Sequence, residues 1–207
     1  MNVNLPYAYL PENYQFFEVA KETRFGMPKG AVIYGVLIGG TKAILATWEV
    51  DKEASMDFDN PRGVIDYLHE HMGENEGIIE VKTGKTKSDN PIIYNILKQK
   101  LHDDGSPGNG YLVNLNLQID GHIYFVNGFF EEYGTTGIRE SNVFAMYRKE
   151  HLDEEDPFKG WSCDPYDPSF TNGFLRNLSE HQQFDRFCPG HPLSQARAYI
   201  DYIVDNN

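Results

Sequence analysis

The chain has 207 residues, of which 40% are hydrophobic and 24% are charged, and its 31 acidic against 18 basic residues give a formal net charge of −13. This length suits one domain of ordinary size, and an aromatic content of 14% argues against intrinsic disorder despite the acidity. The charge excludes the usual nucleic-acid-binding and anionic-membrane-binding classes, because no stripe of Lys and Arg opposes it.

Residues 1–10 lack both the positive start and the continuous apolar core of a secretory signal. The longest apolar stretch, residues 31–39, is about half of the roughly 20 residues that a membrane-spanning helix needs. We therefore expect a cytoplasmic protein without a membrane span. Its two cysteines, Cys163 and Cys188, are expected to be free thiols in a reducing compartment.

The first part of the chain is predicted to form strands followed by one helix. Strand-like patterns occupy residues 15–19, 31–38 and 42–50. The Gly-Gly-Thr sequence at 39–41 indicates a hairpin turn between the last two. A helix is predicted over 61–72, with Asn60 as its cap and Pro61 in its first turn, and its apolar face should pack on a sheet.

The middle of the chain has the clearest strand pattern. Four β-rich stretches follow one another at residues 78–83, 92–101, 111–119 and 122–132. Asp120-Gly121 favours a tight hairpin between the last two, and the Gly/Pro-rich residues 103–110 indicate an exposed reversal. Polar and apolar residues alternate along 111–119, so this strand should cover a core on one side.

The last part is predicted to contain a helix over 138–150, a long acidic surface loop over 150–168, a short helix at about 171–180 and a helix over 192–205. The predicted fold class is α+β: a mostly antiparallel β-sheet covered by helices, with a loop-rich helical C-terminal extension. Residues 1–150 should form the sheet and helix domain, on which the acidic loop and helical tail, residues 151–207, are packed.

A resemblance rests on this order of elements and on the segment Gly128-Phe-Phe-Glu-Glu-Tyr-Gly-Thr-Thr-Gly-Ile-Arg-Glu140, which runs into a helix. Over about residues 15–150 the chain resembles the PsbP/DcrB-like α/β/α fold group. Its tail, Asp185-Arg-Phe-Cys-Pro-Gly-His-Pro-Leu-Ser-Gln-Ala-Arg197, is similar to the C-terminal segments of uncharacterised bacterial proteins. The resemblance implies a binding, scaffolding or accessory role and supplies no catalytic residue.

The acidic, proline-rich loop is the leading candidate for a binding surface. It combines aromatic side chains, which often dominate interface energies, with carboxylates that suit a basic protein partner. The residues concerned are Phe158, Trp161, Asp164, Tyr166 and Asp167. The alternative is that the aromatic side chains only pin the loop to the sheet.

A second candidate is an anion pocket at the turn before the helix over 138–150. The hydroxyls of Thr135 and Thr136, the guanidinium of Arg139 and free backbone N–H groups have the required chemistry. The alternative is that one threonine caps the helix and Arg139 pairs with a neighbouring glutamate.

A third candidate lies in the tail, where Cys163, His181, Cys188 and His191 have the ligand types of a tetrahedral zinc site. Cys188 could instead be a nucleophile activated by either histidine, or residues 189–190 could simply form a turn with His191 capping the next helix. The spacing matches no standard zinc module, so we expect no cofactor and keep zinc as the alternative.

These features together favour a non-enzymatic binding or accessory protein that contacts a protein partner through its acidic aromatic loop. The alternative is a small-ligand or metal-dependent enzyme or sensor that uses the region of Cys188, His191 and His181, or that of Arg139. No nucleotide-binding glycine fingerprint or nucleophile elbow supports catalysis.

Overall fold

Turn chemistry fixes the pairing of the central strands. Asp120 and Gly121 have φ angles of 50° and 83°, which is the left-handed geometry of a two-residue hairpin turn, and Gly39 has a φ of 59° in the preceding hairpin. The predicted hairpins are therefore present.

The computed structural model describes residues 14–20, 27–101, 108–152 and 155–207. Within these ranges seven strands form one antiparallel sheet in the order β1-β2-β3-β7-β6-β5-β4. Their bounds are Gln15–Phe17 (β1), Val32–Ile38 (β2), Thr41–Val50 (β3), Glu76–Lys85 (β4), Pro91–Lys100 (β5), Asn109–Ile119 (β6) and His122–Glu132 (β7). The helices are Pro61–His71 (α1), Ile138–Glu150 (α2) and Pro192–Asn206 (α3). The predicted α+β class is confirmed.

Three of the sequence predictions fall wholly or partly outside the described residues. These are the reading of residues 1–10, most of the reversal at 103–110, and the part of the acidic loop at 153–154. No helix in the described ranges is long and apolar enough to cross a bilayer.

The main core lies between α3 and one face of the sheet. Leu193, Ala196 and Tyr199 of α3 are at most 2% exposed, and they pack on apolar residues of β2, β3, β5, β6 and β7. Pro192 begins the helix and the His191 side chain accepts from the Leu193 N–H at 3.2 Å. The predicted helix over 192–205 and its cap are confirmed.

A smaller core lies under α1 on the other sheet face. Val64, Ile65, Leu68 and Met72 pack on β4, β5 and β6 residues, which are Ile78, Val81, Leu97 and Leu112. Asn60 caps α1 by accepting from the Gly63 N–H at 2.9 Å, and Pro61 occupies the first turn, as predicted.

The predicted helix at 171–180 is wrong, because this segment instead covers the outer edge of β4. The Phe174 N–H donates to Glu76 O at 2.6 Å, and the Tyr166 hydroxyl accepts from the Val81 N–H at 2.6 Å and donates to Val81 O at 3.1 Å. Gly173 has a φ of 84°, which breaks a helix, and only Leu178–Glu180 forms a 3₁₀ turn. An uncovered edge strand would invite pairing with another chain.

Buried charges attach the tail to the sheet. The Lys98 ammonium lies 3.1 Å from the Glu180 carboxylate, and their side chains are 1% and 0% exposed. Glu180 also accepts from the Tyr111 hydroxyl at 2.8 Å and from the Asn177 N–H at 2.7 Å. Burial and the Glu180 charge raise the pKa of Tyr111 well above its usual value, so the phenol keeps the proton that it donates.

A second set of buried ion pairs continues from this one. The Arg139 guanidinium lies 2.9 Å from Asp185 and donates to Ser179 O at 2.7 Å. Arg197 lies 3.1 Å from the same aspartate and 3.4 Å from Glu80. Lys98, Arg139 and Arg197 are thus paired with carboxylates between the sheet, α2 and the tail, and Lys82 also pairs with Glu80 at 3.2 Å.

We expect Glu180→Gln or Lys98→Met alone to lower the free energy of unfolding by about 3–5 kcal/mol, because each leaves one buried charge uncompensated. The double variant should recover part of that loss. Urea unfolding of the parent, the two single variants and the double variant gives the coupling energy between Lys98 and Glu180. Single variants whose free energy of unfolding stays within about 1 kcal/mol of the parent's would contradict the prediction.

The covered edge gives a second prediction. Tyr166→Phe should cost about 1–3 kcal/mol, since the buried Val81 N–H loses its acceptor. Tyr67→Phe is the matched control, because Tyr67 is 61% exposed, and it should change stability by less than about 0.5 kcal/mol. Equal effects of the two substitutions in thermal or urea unfolding would refute the role of Tyr166.

Candidate functional site

Within the described residues, α1 covers the sheet face that it packs on over β4, β5 and β6. Pairing of Leu112 with Phe129, and of Phe129 with Ile44, places alternate residues of β7, β3 and β2 on this same face. We call seven apolar side chains in this region the open face: Phe17, Ile33, Leu37, Ile44, Trp48, Phe125 and Phe129. All seven are half-buried, and none belongs to either core of the described chain.

Glycines let the aromatic rings of the open face lie flat on the strands. A Cβ atom on Gly35 would come within 2.6 Å of the Phe17 ring, and one on Gly110 within 2.5 Å of the Phe129 ring. Trp48 and Phe125 are cross-strand partners whose ring centroids are 4.8 Å apart.

A ladder of hydrogen-bonded asparagine side chains runs across the strands from the open face toward α1. Asn127 donates to Asn114 at 2.9 Å, and Asn114 donates to Asn95 at 3.1 Å, across three paired strands. Asn95 then contacts the Met56 sulfur at 3.3 Å, and the Met56 N–H donates to Asn116 at 2.9 Å. The ladder therefore crosses the strands from the open half of the face to the half that α1 covers.

An acidic groove lies at the strand ends beside the open face. It has a volume of about 720 Å³, and its charged lining consists of Glu49, Asp51, Asp57 and Asp59 with Lys52 and His122. A hollow of about 430 Å³ next to it shares Glu49, Val50 and Asp51 and includes Trp48. The acidic groove is thus continuous with the open face.

Two residues of the predicted loop surface have structural roles. Asp164 is 2% exposed and accepts from the N–H groups of Tyr166 and Asp167 at 2.9 Å, while His69 lies 3.1 Å away. Together with the bonds from Tyr166 to β4, these contacts leave Asp164 and Tyr166 unavailable to a partner. Asp167 is partly exposed, and hydrogen bonds from Ser169 lower the pKa of its carboxyl.

The start of the loop rests on α2 through aromatic contacts. Phe158 stacks on Phe144 with ring centroids 4.9 Å apart, and Trp161 meets the same ring edge-on at 4.9 Å. Trp161 is half-buried, whereas Phe158 is 59% exposed. The predicted partner surface is therefore reduced to the neighbourhood of Phe158, Trp161 and Asp167.

The predicted anion pocket is wrong in its central residue. Arg139 is 1% exposed, and its guanidinium is fully engaged with Asp185, Ser179, Ser194 and His181 within the protein. The alternative cap is also corrected, because Gly137, with a φ of 73°, precedes α2 and no side chain caps it. Thr135 is exposed and Thr136 half-buried.

The four predicted zinc ligands do not come together. Cys163 is exposed, on a segment that bonds to Arg176 O, and burial with nearby Arg176 lowers the pKa of His181. Among the described residues, the group close enough to hold a metal ion is Glu132, Glu140 and His191. Of the predicted ligands it contains His191 alone.

A pocket of about 260 Å³ adjoins this cluster. It is lined by residues from both the predicted anion pocket and the predicted zinc site. Its lining includes Glu132 and His191 together with Thr135, Arg139 and Cys188. Burial raises the pKa of Glu132. At Glu140, burial is outweighed by the contact with His191, and the pKa is lowered.

The open face and the two glutamates were missed by sequence reasoning. The signal for the open face was present, since residues 31–38 are apolar at almost every position and the chain has few helices to cover both sheet faces. Glu132 and Glu140 carried no such signal, because neighbouring acidic residues are common on exposed surfaces.

No protein-family model matches the chain, and no curated protein matches it. Among solved structures, a protein of unknown function from Pseudomonas aeruginosa, described as a candidate regulator, is similar with a TM-score of 0.37 and 6% sequence identity. The match covers 70% of this chain and 97% of that one. A likeness at this level supports no conclusion about function.

Proposed function

We propose that the protein is a non-enzymatic binding module whose open face holds an apolar segment of a partner protein, with basic residues flanking that segment. The observation that supports this most is the set of seven apolar side chains outside both cores of the described residues. Contiguous apolar surface of this kind marks interaction sites in soluble proteins.

Charge complementarity selects the occupant. The groove that continues the open face contains four carboxylates, from Glu49, Asp51, Asp57 and Asp59, against one lysine and one histidine. The His122 ring lies 2.7 Å from Glu49. The four carboxylates outnumber Lys52 and His122 together, so the groove is negative. A partner segment that enters it with Lys or Arg gains attraction and faster association.

The aromatic side chains supply the affinity. Trp48, Phe125 and Phe129 are of the residue types that dominate interface energies. The Phe129 ring is already held over Gly110 and that of Phe17 over Gly35, so little side-chain freedom remains to be lost on binding.

Several finer points belong to the same proposal. The neighbourhood of Phe158, Trp161 and Asp167 is a second contact surface for the partner, and the two free cysteines accord with a cytoplasmic location. The acidic chain does not act on nucleic acid or anionic lipid. The resemblance to the PsbP/DcrB-like group points to the same class of role and stays a prediction.

A second candidate function is a metal-dependent sensor or enzyme. The convergence of Glu132, Glu140 and His191 beside a pocket favours it.

The test uses two fluorescent peptides that share one apolar Leu/Ala/Val segment and differ in carrying three Lys or three Glu at its end. We expect the Lys-flanked peptide to bind, the Glu-flanked peptide to bind more weakly at low salt, and Trp48→Ser/Phe125→Ser to lose at least about tenfold in affinity. Fluorescence anisotropy measures all three.

Phe16→Ser is the matched control, because Phe16 is 60% exposed and alternates onto the opposite sheet face. It should bind like the parent protein, and circular dichroism should show every variant folded. Failure of the parent to bind the Lys-flanked peptide, or equal binding by Trp48→Ser/Phe125→Ser, would overturn the proposal.

A further inference from the structure

Three elements bring ionisable side chains together on the sheet face opposite the open face. Glu132 ends β7, Glu140 lies in the first turn of α2, and His191 caps α3. The His191 Nε2 atom lies 3.5 Å from Glu140 Oε1 and 3.9 Å from Glu132 Oε1. One ligand atom from each residue lies within 4.8 Å of the other two.

The cluster contains buried polar atoms that the protein leaves unsatisfied. His191 is 7% exposed, and its Nε2 atom is aimed at the two carboxylates but makes no hydrogen bond of good geometry. Both carboxylate oxygens of Glu140 are likewise buried without a hydrogen-bond partner. Buried polar groups are normally paired, so three unpaired atoms in one place point to a missing ligand.

The nearest cations are already paired elsewhere. Arg139 lies 2.9 Å from Asp185 and Lys98 lies 3.1 Å from Glu180. Among the described residues, the His191 imidazole is therefore the ion-pair partner that Glu132 and Glu140 share. Uncompensated buried charge is costly, and a divalent cation would neutralise it.

We propose that Glu132, Glu140 and His191 bind one divalent transition-metal ion of the zinc type. Two ligands on a tetrahedral zinc ion are about 3.4 Å apart, close to the two distances from Nε2. Two carboxylates and one imidazole suit Zn²⁺ or Mn²⁺, whereas Ca²⁺ takes six to eight oxygen ligands. Glu132 and His191 also line the pocket of about 260 Å³, so the proposed site adjoins a cavity.

Two neighbouring contacts bear on how the ligands are held. The Gly137 N–H donates to the Glu132 carboxylate at 3.0 Å, which orients that side chain from outside the cluster. The Leu193 N–H donates to His191 Nδ1 at 3.2 Å, which leaves Nε2 as the ring nitrogen that faces the two carboxylates. A metal ion at Nε2 would require the ring proton on Nδ1, so the Leu193 N–H would lose this acceptor when the metal binds.

The experiment is isothermal titration of the full chain with Zn²⁺ after treatment with EDTA. We expect one ion per chain with micromolar or tighter affinity, and at least a tenfold loss in Glu140→Gln and in His191→Asn. Asparagine is a good helix cap, so His191→Asn keeps an acceptor for the Leu193 N–H while removing Nε2. In EDTA, the melting temperatures of both variants should lie within a few degrees of that of the parent.

Two control variants separate this site from other zinc ligands. Cys163→Ser/Cys188→Ser removes the thiols, and His122→Gln removes an imidazole that is 57% exposed beside Glu49. Both should bind Zn²⁺ like the parent. Absence of binding to the parent, undiminished binding by Glu140→Gln and His191→Asn, or loss of binding in the thiol variant would overturn the proposal. None of these outcomes depends on the peptide-binding function of the open face.

Discussion

The Glu180 carboxylate joins parts of the chain that no turn connects. It pairs with Lys98 of β5, accepts from Tyr111 of β6, and closes its own 3₁₀ turn through the Asn177 N–H. Arg139 and Arg197 meet at Asp185 a few residues further along the tail. A buried network of this kind is expensive to desolvate, so we interpret it as a device that selects one position for the tail rather than as a large net source of stability.

Fixing the tail determines which surfaces of the sheet remain available. The segment before Glu180 lies along β4 and covers that edge, and the helix after it fills the face above β3, β6 and β7. Among the described residues, the helix on the other face is α1, which contacts the β4 side and leaves Trp48, Phe125 and Phe129 outside the core under it. Within the described residues, the apolar surface proposed for partner binding is what the tail and α1 leave uncovered.

Local patterns predicted most of the elements, because alternation and helical spacing are properties of neighbouring residues. The strands near 92–101 and 122–132 and the helix at 192–205 are present within a residue or two. The helix predicted at 171–180 failed because the segment's backbone bonds instead to Glu76 of β4 and to Trp161 and Cys163 of the preceding loop. Contacts such as Lys98 with Glu180, or Glu132 with His191, join distant positions, and Arg139 was misread as a ligand for the same reason: its partners lie 40 to 55 residues away.

The most direct test of the open face is a two-dimensional ¹⁵N NMR titration of the full chain with the Lys-flanked apolar peptide. We expect the shift changes to concentrate on the Trp48 indole N–H and the amides of β2, β3 and β7, and to extend to Asp51 in the acidic groove. Changes confined to the loop around Phe158 and Trp161, or no changes at saturating peptide, would contradict the open face as the binding surface.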